Sequence, residues 1–131
     1  MNRVVVRFQD GRILKGHTAD FMAAGDSFHV ARADAPSARP HPVLVSELKA
    51  VFFVKDFAGN PLHDERKHFE GGRAPAGRKL RIEFKDGEVM VGTTQSYEPD
   101  AHGFFLVPAD SASNIERCFV VAAATEQVIL L

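Results

Sequence analysis

The chain has no tryptophan, one tyrosine and one cysteine. A single thiol cannot close an intramolecular disulfide or furnish a multi-cysteine zinc site. Cys118 opens an apolar run and reads as a small core residue. The longest apolar stretches, residues 51–54 and 119–124, fall far short of the roughly 20 residues that span a bilayer, and no apolar segment follows a basic start at the N-terminus. These shortages point to a cytoplasmic protein with no membrane partner. Gly-x-Ser-x-Gly, a phosphate-cradling glycine loop and His-Glu-x-x-His are all missing. No catalytic residue, cofactor or metal is assigned, and the expectation is a protein that is not an enzyme.

What is present is a sequence written twice. Phe8, Asp10, Gly11, Gly16, Thr18, Phe28, Ala33 and Asp34 superpose without a gap on Phe84, Asp86, Gly87, Gly92, Thr94, Phe104, Ala109 and Asp110. Val4/Leu80, Val6/Ile82, Ile13/Val89, Phe21/Tyr97 and Val30/Leu106 fill the spaces with similar side chains. Self-similarity of this kind is an architectural signal before it is a functional one. It divides the chain into a first unit at residues 1–57, a linker at 58–77 and a second unit at 78–131. The linker holds Gly59, Pro61, Gly71, Gly72, Pro75 and Gly77, a density of breakers that disfavours a regular element, although residues 62–70 could form a short helical turn.

Both units open with period-2 alternation: Val4, Val6 and Phe8 face one way, as do Leu80, Ile82 and Phe84 in the second copy. Each strand runs into Asp-Gly, a pair that accepts the positive φ of a tight hairpin. A glycine five residues after the turn glycine, Gly16 or Gly92, marks a bend or a close backbone approach in the returning strand. Third strands at residues 28–33 and 104–107 follow polar turns. Pro36, Pro40 and Pro42 then keep residues 34–42 out of any helix or central strand. Residues 43–45 and 51–57, with counterparts at 119–121 and 128–131, close each unit. Five short strands in so few residues predict an all-β protein of two tandem SH3-like five-stranded small barrels related by the internal repeat.

The run from Val4 to Gly16, followed by Asp20-Phe21-Met22 and Phe28-His29-Val30, resembles the first motif of the Sm-like (LSm and Hfq-like) superfamily. The run from Val43 to Val51 resembles its second motif, the last two strands of that barrel. The resemblance covers nearly everything outside the linker and implies a tandem Sm-like fold. Residues 51–60 also resemble uncharacterised bacterial proteins. In RNA-binding Sm proteins an Asn follows the Asp-x-x-Met segment and an Arg-Gly sits in the second motif. Here those places hold Ala23 and Glu47-Leu48-Lys49-Ala50, so the ancestral RNA site does not carry over.

A net charge of −1 conceals a gradient. Residues 2–57 carry eight Lys/Arg against six Asp/Glu, residues 58–81 six against three, and residues 82–131 two against eight. A polyanion would therefore meet the first unit or the linker, and Arg3, Arg7, Arg12, Lys15, Arg66 and Lys67 are the candidate nucleic-acid contacts. With one Tyr, no Trp and the phenylalanines at core positions, stacking platforms are scarce, and a solvated basic face is the competing explanation. Arg3 and Arg7 also mimic the Arg-x-x-x-Arg of cyclic-di-GMP-binding PilZ domains, but the companion Asp/Asn-x-Ser-x-x-Gly is lacking. His63 and His68 do not share a helix face, and Arg66-Lys67 between them would repel a metal cation.

Association remains. Val51, Phe52, Phe53 and Val54 form an uncharged run of high β propensity, and Val128, Ile129 and Leu130 another. Bare strands of this composition need cover. They are read as interaction edges, pairing between the repeats or between chains, in a non-enzymatic binding or scaffolding module whose partner is another protein or a second copy. Weak RNA or single-stranded nucleic-acid binding through the basic first unit and linker is the alternative.

Overall fold

The computed structural model describes residues 1–58, 77–110 and 112–131. Arg66, Lys67, His63, His68 and all but the ends of the linker lie outside the described residues. The fold is all-β. Strands β1 (Asn2–Phe8), β2 (Ile13–Thr18), β3 (Ser27–Arg32), β4 (His41–Leu44) and β5 (Leu48–Val54) are followed by β6 (Arg78–Phe84), β7 (Val89–Thr94), β8 (Gly103–Pro108), β9 (Ile115–Val121) and β10 (Thr125–Leu130). A 3-10 turn precedes the last strand of each half, Val45–Glu47 and Ala122–Ala124. All ten strands join one antiparallel sheet in the order β10-β6-β7-β8-β9-β5-β1-β2-β3-β4. The order β5-β1-β2-β3-β4 thus recurs as β10-β6-β7-β8-β9, and the halves meet where β5 pairs with β9.

Local chemistry explains the matching elements. The hairpins are closed by Phe8 N–H to Arg12 O at 3.0 Å and Phe84 N–H to Glu88 O at 2.8 Å. Only Gly11 (φ 95°) and Gly87 (φ 90°) take positive φ there, so the aspartates stay in ordinary conformations and each turn is a three-residue loop ending in a left-handed glycine. Asp10 and Asp86 hold the turns through backbone N–H groups two residues on, at 3.0 and 2.9 Å. Of the bend or close backbone approach expected at Gly16 and Gly92, the structure has the close approach. A Cβ at Gly16 would collide with the carbonyl oxygen of Ala31, and one at Gly92 with that of Val107. Each third strand can cross tightly over the second only because these positions carry no side chain.

Two apolar cores lie along the sheet, and the junction strands feed both. Val51 and Phe53 of β5 and Phe119 and Val121 of β9 join the core of the first half. Ala50, Phe52 and Val54, with Cys118 and Val120, join the core of the second. Strand pleat sends successive side chains to opposite faces, so a strand with a core on each side is buried on both. Every residue of β5 is buried as a result. The expected short strand at residues 119–121 runs from Ile115 instead, because β9 is hydrogen-bonded on both sides. Pro42, placed in a loop by sequence, lies inside β4. This is tolerated because β4 ends the sheet and, among the described residues, its far side takes no ladder hydrogen bond.

Candidate functional site

The junction is built from β5 and β9 in antiparallel register, with Ala50 opposite Val120, Val51 opposite Phe119, Phe52 opposite Cys118 and Phe53 opposite Arg117. The first predicted edge, residues 51–54, is therefore saturated within the chain. Arg117 closes the seam from above, its guanidinium 4.3 Å from the Phe53 ring centroid and 4.7 Å from that of Phe105. Phe21 packs edge-on to Phe28, Phe53, Phe105 and Phe119 at 5.0 to 6.0 Å, so one ring from the loop after β2 bridges both halves. Among the described residues its repeat counterpart Tyr97 meets Phe104 alone, at 4.9 Å.

At one end of the seam the ladder between β1 and β5 slips between Ala50 and Leu48, leaving Lys49 as the extra residue. A bulge re-aims such a side chain. Lys49, only 8% exposed, reaches the second hairpin, with Nζ 2.7 Å from Asp86 and 2.5 Å from Glu88, above the Phe84 ring at 4.7 Å. The hydrogen bond from Lys49, helped by the Glu88 backbone N–H, holds the Asp86 carboxyl below its ordinary value. The hollow beside this group, lined by Gln9, Lys49, Phe84, Lys85, Asp86 and Ala124, is about 80 Å³. Pockets for drug-sized ligands are usually several times larger, on the order of 300–1,000 Å³.

The second predicted edge lies elsewhere. Val128, Ile129 and Leu130 sit in β10, which pairs with β6 on one side and, among the described residues, with no strand on the other. Leu131 N–H donates to Lys79 O at 2.9 Å, and antiparallel alternation then turns the amides of Val128 and Leu130 outward. Leu130 is 54% exposed, whereas its counterpart Phe53 is buried. At the opposite end of the sheet Val45 N–H donates to Asp26 O at 2.9 Å, matching Ala122 N–H to His102 O in the second half. By the same alternation the outward residues of β4 and the segment before it are Leu44, Pro42 and Pro40. Their counterparts facing β5 from β9 are Val121, Phe119 and Arg117. Two of the three donors used in the junction are thus proline at the outer edge.

The candidate nucleic-acid contacts among the described residues, Arg3, Arg7, Arg12 and Lys15, are engaged with the protein's own groups. Arg3 donates to Lys55 O, Lys15 to Phe57 O at 3.2 Å, and the Arg3 guanidinium lies 5.7 Å from the Phe57 ring. Both fasten the chain as it leaves β5. Arg12 pairs with Asp10 at 2.8 Å and covers Phe8, while Arg7 covers Phe52. Among the histidines, His29 Nδ1 lies 2.8 Å from Asp20 and His102 Nε2 3.0 Å from Asp26. The His29 backbone and ring hydrogen bonds hold Asp20 below its ordinary value. Among the described residues, no three His, Cys, Asp or Glu side chains gather as a metal site. No helix there is long and apolar enough to cross a membrane.

Sequence reasoning missed Lys49, Phe21 and Arg117 as organisers of the junction. Two signals were present: Lys49 interrupts an apolar run, and Arg117 is one of two cations in residues 82–131. No curated protein and no solved structure matches the chain. The model of a family of unknown function, DUF6982, matches residues 1–131, and the chain belongs to that family.

Proposed function

We propose that the chain is a non-enzymatic, cytoplasmic binding module that recruits a protein strand to the open edge of β10. In this reading each five-stranded half is an SH3-like barrel on the Sm-like plan, and the repeat is a scaffold carrying one reactive edge. One observation carries it: β5 is saturated by β9, while its counterpart β10 keeps outward amides at Val128 and Leu130 with exposed leucines beside them. Strand addition supplies affinity through main-chain hydrogen bonds and selectivity through alternate side chains. The seam supplies the template for an incoming strand, an antiparallel segment with the apolar alternation of β9.

The test is amide hydrogen exchange with a synthetic peptide of the β9 sequence, Ile115–Val121. Binding should slow exchange at Val128 and Leu130 while leaving the β4 edge unchanged. Protection at β4 instead, or none at saturating peptide, would overturn the reading. The nucleic-acid alternative is weakened by the engagement of Arg3, Arg7, Arg12 and Lys15. It requires that RNA affinity fall steeply between two salt concentrations.

A further inference from the structure

We propose that the strand received by β10 is the β10 of a second copy, paired antiparallel about a two-fold axis through Val128. The inference rests on the preceding reading and names its occupant. The alternative self-contact is head to tail, repeating the β5–β9 seam between chains with β4 of the next copy in the role of β9. Carried over by the repeat, the seam register would set Val128 opposite Pro42 and Leu130 opposite Pro40, against Phe119 and Arg117 in the seam itself. Proline has no amide to donate, so two rungs of that ladder cannot form. Proline on an outer strand is a common guard against edge pairing. The chain has thus closed the end that would propagate.

β10 is not closed. It contains no proline, and its one charge is Glu126. Centring the two-fold on Val128 sets Val128 against its equivalent and Glu126 against Leu130 of the second copy. The outward amides of Val128 and Leu130 then meet the outward carbonyls of Val128 and Glu126 of the second copy. No like charges stand directly opposite, the arrangement that destabilises cross-strand pairs. Val128 stands where Val51 stands in the seam, and Val51 with Phe119 is the corresponding outward-facing pair there. The strand behind, β6, brings Arg78, Lys79 and Arg81 against Glu83, so the acidity of the second half is locally reversed at this edge. The contact is isologous and closes at two. Its product is a continuous sheet whose two outer strands are both β4, each guarded by Pro40 and Pro42.

Sedimentation analysis across a concentration series tests this. The full chain should shift from the 14.4 kDa monomer to twice that mass and no further. Val128→Pro removes an outward amide that β6 does not use, and should weaken the dimer more than about tenfold, the loss of roughly 1.4 kcal/mol. Leu130→Glu, at an exposed side chain, places like charges opposite each other at Glu126 of the second copy; it should do the same and covers the case in which the proline variant fails to fold. Replacing Pro40 by Arg and Pro42 by Phe restores the missing donors and should let β4 of one chain compete for β10 of the next, giving open-ended species in place of the closed dimer. A dimer indifferent to Val128→Pro and Leu130→Glu, or open-ended growth of the unmodified chain, would overturn the proposal. A monomer whose Val128 amide is still protected by the β9 peptide would overturn this inference alone. A monomer with no such protection would overturn both readings.

Discussion

Lys49 of β5 and Asp86 of the second hairpin are joined Nζ to Oδ2 at 2.7 Å, the ammonium nearly enclosed and the carboxylate half exposed. The contact ties the last strand of one half to the first turn of the other. A desolvated cation is costly mainly when its partners are removed. The double variant Asp86→Asn, Glu88→Gln, which strands the ammonium, should lose about 1–3 kcal/mol, below the roughly 3–5 kcal/mol of a fully buried pair because water reaches these carboxylates. Lys49→Met, which keeps an apolar stem over Phe84, should cost less than about 1 kcal/mol. Urea midpoints rank the two, and the reverse order would show that Lys49 is solvated in the fold.

The same pair gives a pH dependence of known sign. Asp86 has a lowered folded-state value, first through the Lys49 hydrogen bond and then through the Glu88 amide. A depressed carboxylate contributes stability that is complete above its unfolded value, about 3.9, and is lost as pH falls through the lower folded value. Thermal midpoints should therefore decline more steeply below about pH 4 in the parent than in Asp86→Asn. Equal slopes would remove Asp86 from the acid response.

Because β5 and β9 supply side chains to both cores, the halves should unfold together. Phe52→Ala opens the second core from a strand of the first half, and Phe119→Ala does the converse. Each should cost about 3–5 kcal/mol and shift a single transition. Circular dichroism and cysteine reactivity at Cys118, buried in the second core, should report the same midpoint. Two separated transitions would mean that the cores are energetically independent.

The two glycines of the first hairpin separate strain from collision. Gly11 has positive φ with open space around it, so Gly11→Ala should cost only the left-handed penalty, about 1–2 kcal/mol. Gly16 has ordinary φ, but a Cβ there meets the Ala31 carbonyl, so Gly16→Ala forces β2 and β3 apart. It should cost the larger amount, at or above about 3 kcal/mol, the upper end for overpacking. Denaturant titration of both variants checks the order, and a milder effect at Gly16 would argue against the close crossing.

The strands, their inward faces, the hairpins and the two bending glycines were legible in the sequence because each depends on local periodicity or on one residue's conformational range. Val4, Val6 and Phe8 fall on a buried face as alternation requires. Asp10-Gly11 fell at its turn, although the turn is longer than a two-residue hairpin because the aspartate has no need of positive φ. The apolar runs at residues 51–54 and 128–130 were equally visible as segments that need cover. Their composition alone could not say which was already covered.

Sequence by itself therefore determined that this is an all-β chain with a duplicated strand pattern and two apolar edges. Tertiary structure decided how those edges are used. It set β5 against β9, saturating one edge and burying its strand on both faces, and it left β10 at the end of the sheet. The meaning of Pro40 and Pro42 also came from tertiary structure, since a missing amide matters only when the strand's outward side is known. The physical reason is common to both. Side-chain periodicity is written along the chain, whereas strand pairing is a long-range choice among backbones that all carry the same donors and acceptors.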